Sequence, residues 1–366
     1  MLLRLAKWMI ALAVAVGLVL ATRSALDQWQ HETDKIQRQI AELDQQIALP
    51  DPPTDRDSLI QQRDRLIANI PSLQNLGWDK VALSALLYAI GIFFPGLVLH
   101  DAVRSLGARA TYGTAIASQL LGHAGKYVPG KAMVIVLRAG GLSVDGVQPI
   151  RATISVFMET LLMMGVGATL ACIVIFWLPV PTWMTWSALA VAVLASVPTI
   201  PPILKRVAAR VAKMTPSDFD FNDRGSSSLG FFLTGWAWSL VSWLFIGASF
   251  TAIVLSIPSV TASPPSLLVI TAVSTAAIAL AIVIGFASLL PGGAGVRELV
   301  ITTILATSIG TAHALLAAIA ARIMFIAVEA ICAGAAWWWL RRSIAAQSLT
   351  TAVDPMVTDT FESTGD

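Results

Sequence analysis

Residues 225–296 read GSSSLGFFLTGWAWSLVSWLFIGASFTAIVLSIPSVTASPPSLLVITAVSTAAIALAIVIGFASLLPGGAGV, and no Lys, Arg, Asp or Glu occurs among them. A bilayer crossing needs about 20 predominantly apolar residues, so this one stretch has room for more than a single crossing. The same freedom from charge holds from Thr160 to Leu204. Across all 366 residues 56% are hydrophobic and only 13% are charged, which is far from the make-up of a water-soluble domain. The reading that follows is an all-α, polytopic membrane protein. A net charge of +2, with no basic patch carrying interleaved aromatics, gives no reason to expect a nucleic-acid partner. Cys172 and Cys332 fall inside apolar runs and read as small buried hydrophobes, not as a disulfide or a metal framework.

Outward from that core the chain divides into four parts. Residues 1–22 are an N-terminal membrane anchor: Arg4 and Lys7 precede the uncharged run Trp8 to Thr22, which resembles a secretory signal peptide, the alternative reading, but no clean small-x-small cleavage site ends it. Residues 23–80 form an extracytoplasmic helical hairpin. Leu26, Trp29, Thr33, Ile36, Ile40, Leu43 and Ile47 keep the 3,4 spacing of a coiled-coil seam, Pro50, Asp51, Pro52 and Pro53 stop the helix, and Leu59, Leu66, Ile70 and Leu73 repeat the pattern. This hairpin offers a surface for self-association or for a protein partner; a solvated stalk is the plainer alternative. Residues 81–342 are the membrane domain, with apolar segments near Val81–Leu99, Ala152–Leu178, Trp183–Leu204, Leu229–Ile257, Leu267–Leu290 and Thr311–Leu340. Residues 343–366 are a polar, disordered cytoplasmic tail.

Two Pro-Gly interruptions break the membrane domain: Lys126-Tyr127-Val128-Pro129-Gly130-Lys131, and Leu290-Pro291-Gly292-Gly293-Ala294-Gly295-Val296-Arg297-Glu298. Several apolar runs beside them are too short to cross a bilayer, which is the pattern of broken or re-entrant helices. Both interruptions follow one outline: an apolar run, the break, a basic residue, a short apolar run, then a longer helix bearing a charge. Glu159 stands 30 residues after Pro129 and Arg322 stands 31 after Pro291. Basic residues set the orientation. Arg4 and Lys7, Arg104 and Arg109, Lys205 to Lys213, and Arg341 with Arg342 all face the cytoplasm by the positive-inside bias. About six full spans plus two re-entrant hairpins, both termini cytoplasmic, satisfy all four clusters and place the chain in the plasma (inner) membrane. Three spans then separate the breaks, and an odd number turns the second unit over relative to the first, giving an inverted repeat. Trp337, Trp338 and Trp339 beside Arg341 and Arg342 read as an interfacial anchor.

The paired motifs carry a resemblance. Gly122 to Arg138, GHAGKYVPGKAMVIVLR, and Leu290 to Leu299, LPGGAGVREL, with Glu159 and Arg322 downstream, resemble the lysylphosphatidylglycerol synthase transmembrane-region family, also called flippase-like domain proteins. The likeness covers about Lys80 to Arg342. It implies a polytopic protein with two re-entrant segments whose membrane region, in bifunctional relatives, moves an aminoacylated phospholipid while a separate soluble domain attaches the amino acid. After Arg342 only a short tail follows here, so the synthase half of the family's activity is not expected.

Charge at membrane depth is the sharpest sign of function. Lys126, Lys131, Arg138, Glu159, Arg297, Glu298, Arg322 and Glu329 lie in or beside apolar sequence, where a charged side chain costs from about 2.5 to over 10 kcal/mol. The structural alternative is a lock, Glu159 against Arg322 across the repeat. Lys126, Lys131, Arg138 and Arg297 have few acidic residues near them in sequence, and that basic excess suits an anionic headgroup. A helix beginning after Pro-Gly offers free N–H groups to a phosphate, and Gly292 and Gly293 let the backbone approach it. The candidate substrate-binding set is therefore Lys126, Tyr127, Lys131, Arg138, Glu159, Gly292, Gly293, Arg297, Glu298 and Arg322. No metal site or cofactor is expected: His31, His100, His123 and His313 lack ligand spacing. Gly122 to Lys126 imitates a phosphate-binding P-loop, but Leu120 and Tyr127 stand where the motif needs Gly and Ser or Thr. His123 and Tyr127, at helical spacing beside Lys126, could support acid–base work. The expected function is a flippase-like lipid transporter handling an anionic phospholipid or a polyprenyl-phosphate-linked lipid. The alternatives are a membrane subunit of, or an enzyme in, glycosyl-lipid or phospholipid headgroup modification, and a scaffold acting through the hairpin.

Overall fold

A computed structural model describes residues 30, 34–49, 55–68, 75–127, 132–178, 180–213, 229–258, 265–288, 293 and 295–362. The N-terminal anchor lies outside them, as do Leu26, Trp29, Thr33, Ile70 and Leu73 of the hairpin pattern. The described residues are overwhelmingly helical and include no strand. In order come α1 (34–48), α2 (Arg56–Ala68), α3 (Trp78–Gly91), α4 (Phe94–Ser105), α5 (Tyr112–Gly122), α6 (Ala132–Leu142), α7 (Pro149–Phe176), α8 (Thr182–Ser196), α9 (Pro201–Lys213), α10 (Leu229–Ser256), α11 (Leu267–Ala287), α12 (Val296–Ile309) and α13 (Thr311–Glu362).

Among the described residues, six helical segments are long and apolar enough to cross a membrane: Trp78–Ser105, Pro149–Phe176, Thr182–Thr199, Leu229–Ser256, Leu267–Ala287 and Thr311–Ala345. They fall on the six apolar segments of the membrane domain read from sequence, while the N-terminal run is outside the described residues. Among them α11 has 21 residues and hence a length of about 31 Å, enough for a crossing. The first span is not one helix. It breaks between α3 and α4, where Pro95, in the first turn of α4, has no N–H to continue a helical ladder. At the other end the expected tail is helical as far as Glu362. Between Gly334 and Pro355 neither Gly nor Pro interrupts the run, in which Ala is the commonest residue, so nothing local stops the helix at Arg342.

Two compact units emerge. Unit 1 holds the described residues of Met1–Gly91, Gly167–Val193 and Trp243–Ile326; unit 2 holds those of Ile92–Val166, Leu194–Ser242 and Ala327–Asp366.

In unit 1 close approach rests on small residues. Ser84 and Ser249 each donate a hydroxyl to the other's carbonyl, at 2.7 and 2.8 Å, and so join α3 to α10. A Cβ on Gly91 would meet Ile246 at 2.9 Å, and one on Gly167 would meet the Trp243 ring at 2.5 Å. Membrane helices lack a hydrophobic drive between them, so contacts of this closeness and such interhelical hydrogen bonds hold them together. Tyr88 stacks on Phe325 with ring centroids 3.9 Å apart. In the polar segment, Ile36, Leu43 and Leu59 are buried while most positions between them are exposed, and Arg63 reaches Asp44 at 3.4 Å.

Unit 2 packs α4, α7, α9 and α10 around Val98, Ile154, Met158, Leu162, Leu204 and Phe231. The first Pro-Gly break joins α5 and α6, and glycines set their register. Gly125 abuts Val134, Gly122 abuts Arg138 and Gly141 abuts Ser118, so the two helices run antiparallel. Each has 11 residues, about 16 Å, or half the thickness of a hydrocarbon core. On α9, Leu204 and Ala208 are buried while Lys205, Arg206 and Arg210 are exposed.

Candidate functional site

The charged groups assemble around the two breaks, one set in each unit. In unit 2, α5 ends at Gly122 and tightens into a 3-10 segment, His123–Tyr127, before the first break. Arg138, two turns into α6, lies across Gly122; a Cβ there would meet its Nε at 2.5 Å, so only glycine leaves room for the guanidinium. Its Nη1 donates to Glu159 Oε2 of α7 at 2.6 Å, and both side chains are at least nine-tenths buried. Glu159 also accepts from the Gln119 amide at 3.3 Å and from Thr160 at 3.1 Å. Lys126, seven residues beyond Gln119, donates to Glu329 Oε1 of α13 at 2.9 Å, and His123 Nδ1 lies 3.3 Å from that same oxygen. Glu329 is buried, whereas Lys126 is about a third exposed. A polar string thus runs through unit 2, from Glu159 by way of Gln119 and Arg138 to His123, Glu329 and Lys126.

In unit 1, α11 and α12 pack together across the second break. Gly293 and Gly295 adopt φ of +66° and +81°, the left-handed region that favours glycine. Glu298 of α12 accepts the Gly295 N–H at 2.7 Å and also binds Arg322 of α13. The Arg297 stem packs against Gly285 and Gly293. Among the described residues Arg297 has no carboxylate partner.

The two sets mirror one another with the charges exchanged. After the first break an Arg on the short helix binds a Glu on the following long one; after the second, a Glu on the short helix binds an Arg on the following long one.

One sequence expectation changes. Glu159 and Arg322, expected as a lock across the repeat, each have a partner inside their own unit, Arg138 and Glu298. Lys126 and Arg138 do not lack carboxylates: those of Glu329 and Glu159 reach them. Glu329 is 203 residues from Lys126, a separation at which proximity along the chain says nothing about proximity in space. Of the other candidates, Lys131 and Gly292 lie outside the described residues, and for Tyr127 only the backbone is described.

Sequence reasoning left Gln119 out, counted Glu329 among the charges at membrane depth but not in the binding set, and gave His123 a minor place. Glu329 had a usable signal: it follows Arg322 by seven residues, two helical turns, and so lies on the same face of an otherwise apolar helix.

A site of this kind can hold an anion against cations in a dry surrounding while neighbouring carboxylates limit the net charge. Comparison with individually curated proteins finds no match. The sequence family described as lysylphosphatidylglycerol synthase TM region, by contrast, matches residues 64–333, from α2 to the middle of α13, with both breaks and both Arg–Glu pairs inside the match. The chain therefore belongs to the lysylphosphatidylglycerol synthase TM region family, membrane proteins related to the modification or transport of lipids and their headgroups.

Proposed function

We propose that this protein is a flippase-like lipid transporter, which shelters the anionic headgroup of a phospholipid or a polyprenyl-phosphate-linked lipid at its two broken-helix elements during transfer across the bilayer. The reading takes the α5–α6 and α11–α12 elements as the two re-entrant halves of an inverted repeat. Its main support is the concentration of buried charge at the two breaks of an otherwise apolar helical domain. Charges at membrane depth persist where they meet a cavity, a partner or a ligand, and lipid-only surroundings supply none of these. Arg297 gives the reading its direction. It is a cation without a described carboxylate, beside left-handed glycines and the first turn of α12, where a phosphate would also meet free N–H groups. The Glu298–Arg322 pair then works as the frame that holds this turn.

The test is transfer of a fluorescent phosphatidylglycerol analogue in proteoliposomes. Arg297→Gln removes the charge and leaves the neighbouring ion pair intact, so transfer should drop about tenfold or more, the effect of losing one charge-assisted contact of about 1.5–3 kcal/mol. Expression and thermal stability should stay near wild type. Unchanged transfer in a stable Arg297→Gln protein would sink the headgroup reading and bring headgroup modification to the front.

A further inference from the structure

The polar string in unit 2 contains a histidine that the headgroup reading does not use. His123 is almost fully buried, and neither ring nitrogen makes a hydrogen bond among the described residues, although Nδ1 lies 3.3 Å from Glu329 Oε1. The neighbouring Gln119 Oε1 and Arg138 Nε are equally buried and equally without one. Three buried polar groups left open side by side are costly, and an oxygen-rich ligand accepting from the imidazole and the guanidinium would satisfy two of them.

The charges around the ring decide which ligand. Among the described residues, the charged groups acting on His123 are Lys126 from its own segment, Glu329 from α13 and Arg138 from α6, with Glu159 of α7 behind Arg138. Lys126 and Glu329 cancel, as do Arg138 and Glu159, so the cluster is formally neutral while the imidazole is neutral. Protonating His123 alone would leave one uncompensated positive charge in a dry site, which desolvation opposes. An anion with a single negative charge cancels it. The imidazolium would then direct Nδ1–H to Glu329 and Nε2–H to the anion, so that both ring nitrogens are used.

We propose that His123 takes up one proton from the aqueous side as a monoanionic lipid headgroup enters the α5–α6 site, and returns it when the headgroup leaves, so that lipid transfer is proton-linked. The inference rests on the lipid-handling reading above and adds its energy source. Coupling of this kind is reciprocal: the anion favours the proton to the same extent that the proton favours the anion. The partly exposed Lys126, which shares the Glu329 oxygen, lies at the less buried end of the string.

Two measurements test it. In proteoliposomes at equal pH on both sides, wild-type transfer of the fluorescent phosphatidylglycerol analogue should rise at least about fivefold between about pH 8 and about pH 5.5, while a phosphatidylcholine analogue shows no such rise. His123→Gln and Glu329→Gln should both flatten that slope. In weakly buffered detergent, adding phosphatidylglycerol to the wild-type protein should withdraw about one proton per lipid bound, read with an indicator dye, and phosphatidylcholine should withdraw none. This second measurement needs no variant and stands even if the substitutions impair folding. A flat wild-type profile, a slope retained in His123→Gln, or lipid binding without proton uptake overturns the inference and leaves the transport reading in place. Uptake on adding inorganic phosphate but not lipid overturns it in favour of a soluble anion. No transfer at any pH removes both.

Discussion

Arg138→Ala isolates the buried ion pair that holds the first break. The substitution strands Glu159, which is 2% exposed, with only the Gln119 amide at 3.3 Å and the Thr160 hydroxyl at 3.1 Å. Breaking a buried pair by removing one partner typically costs about 3–5 kcal/mol, and those two remaining donors place this case near the lower end, about 3 kcal/mol. Glu159→Gln should cost more, about 4–5 kcal/mol, because it leaves a buried guanidinium whose Nε already lacks a partner. Combining Arg138→Ala with Glu159→Gln removes both charges and should recover about 2–3 kcal/mol relative to the sum of the single effects. Reversible unfolding by SDS titration in mixed micelles, followed by Trp fluorescence, gives each free energy. A single Arg138→Ala mutant within about 1 kcal/mol of wild type, or a double mutant no better than additive, would refute the assignment of this pair as a structural lock. The outcome also bears on function, because Arg138 committed to Glu159 is the frame of a site more than its free cation.

Further expectations follow from particular residues. Gly293→Ala forces a Cβ into the left-handed region and within 2.9 Å of the Arg297 stem, and should cost about 1–3 kcal/mol in the same titration, whereas Gly140→Ala, with nothing within 4 Å, should be neutral or slightly stabilising. Ser84→Ala with Ser249→Ala deletes the reciprocal hydroxyl bonds between α3 and α10 and should lower stability by about 1 kcal/mol, the usual worth of interhelical hydrogen bonds in membranes. Ile36→Asp with Ile40→Asp, on the inward face of α1, should unpair α1 from α2, read as new protease cleavage between residues 34 and 68, while the membrane domain keeps its thermal transition. Single cysteines at the exposed Gln45 and Arg206 should label from opposite sides of the membrane; labelling of both from one side would contradict the orientation argued from the basic clusters.

Sequence alone determined the class of molecule, the family and the location of its charged breaks. Whether a segment prefers lipid to water is a sum over its own residues, so the charge-free run of 225–296 commits the chain to a membrane whatever its neighbours do. The interruption before α6 and the one before α12 were legible for the same local reason, since Pro and Gly act on their own backbone. Helix ends were less legible where nothing local enforces them: α13 runs past Arg342, and the first span breaks before Pro95 although its apolar run is continuous. The partners of the charges were settled only by tertiary structure. An ion pair depends on which helix faces meet, and composition is blind to that: Arg138 finds Glu159 on α7, Lys126 finds Glu329 on α13, and Arg322 finds Glu298 on α12. Gln119 and His123 are inconspicuous as letters in an apolar string. They join the candidate site because the glycines at 122, 125 and 141 let α6 lie close enough on α5 to bring Arg138 beside them.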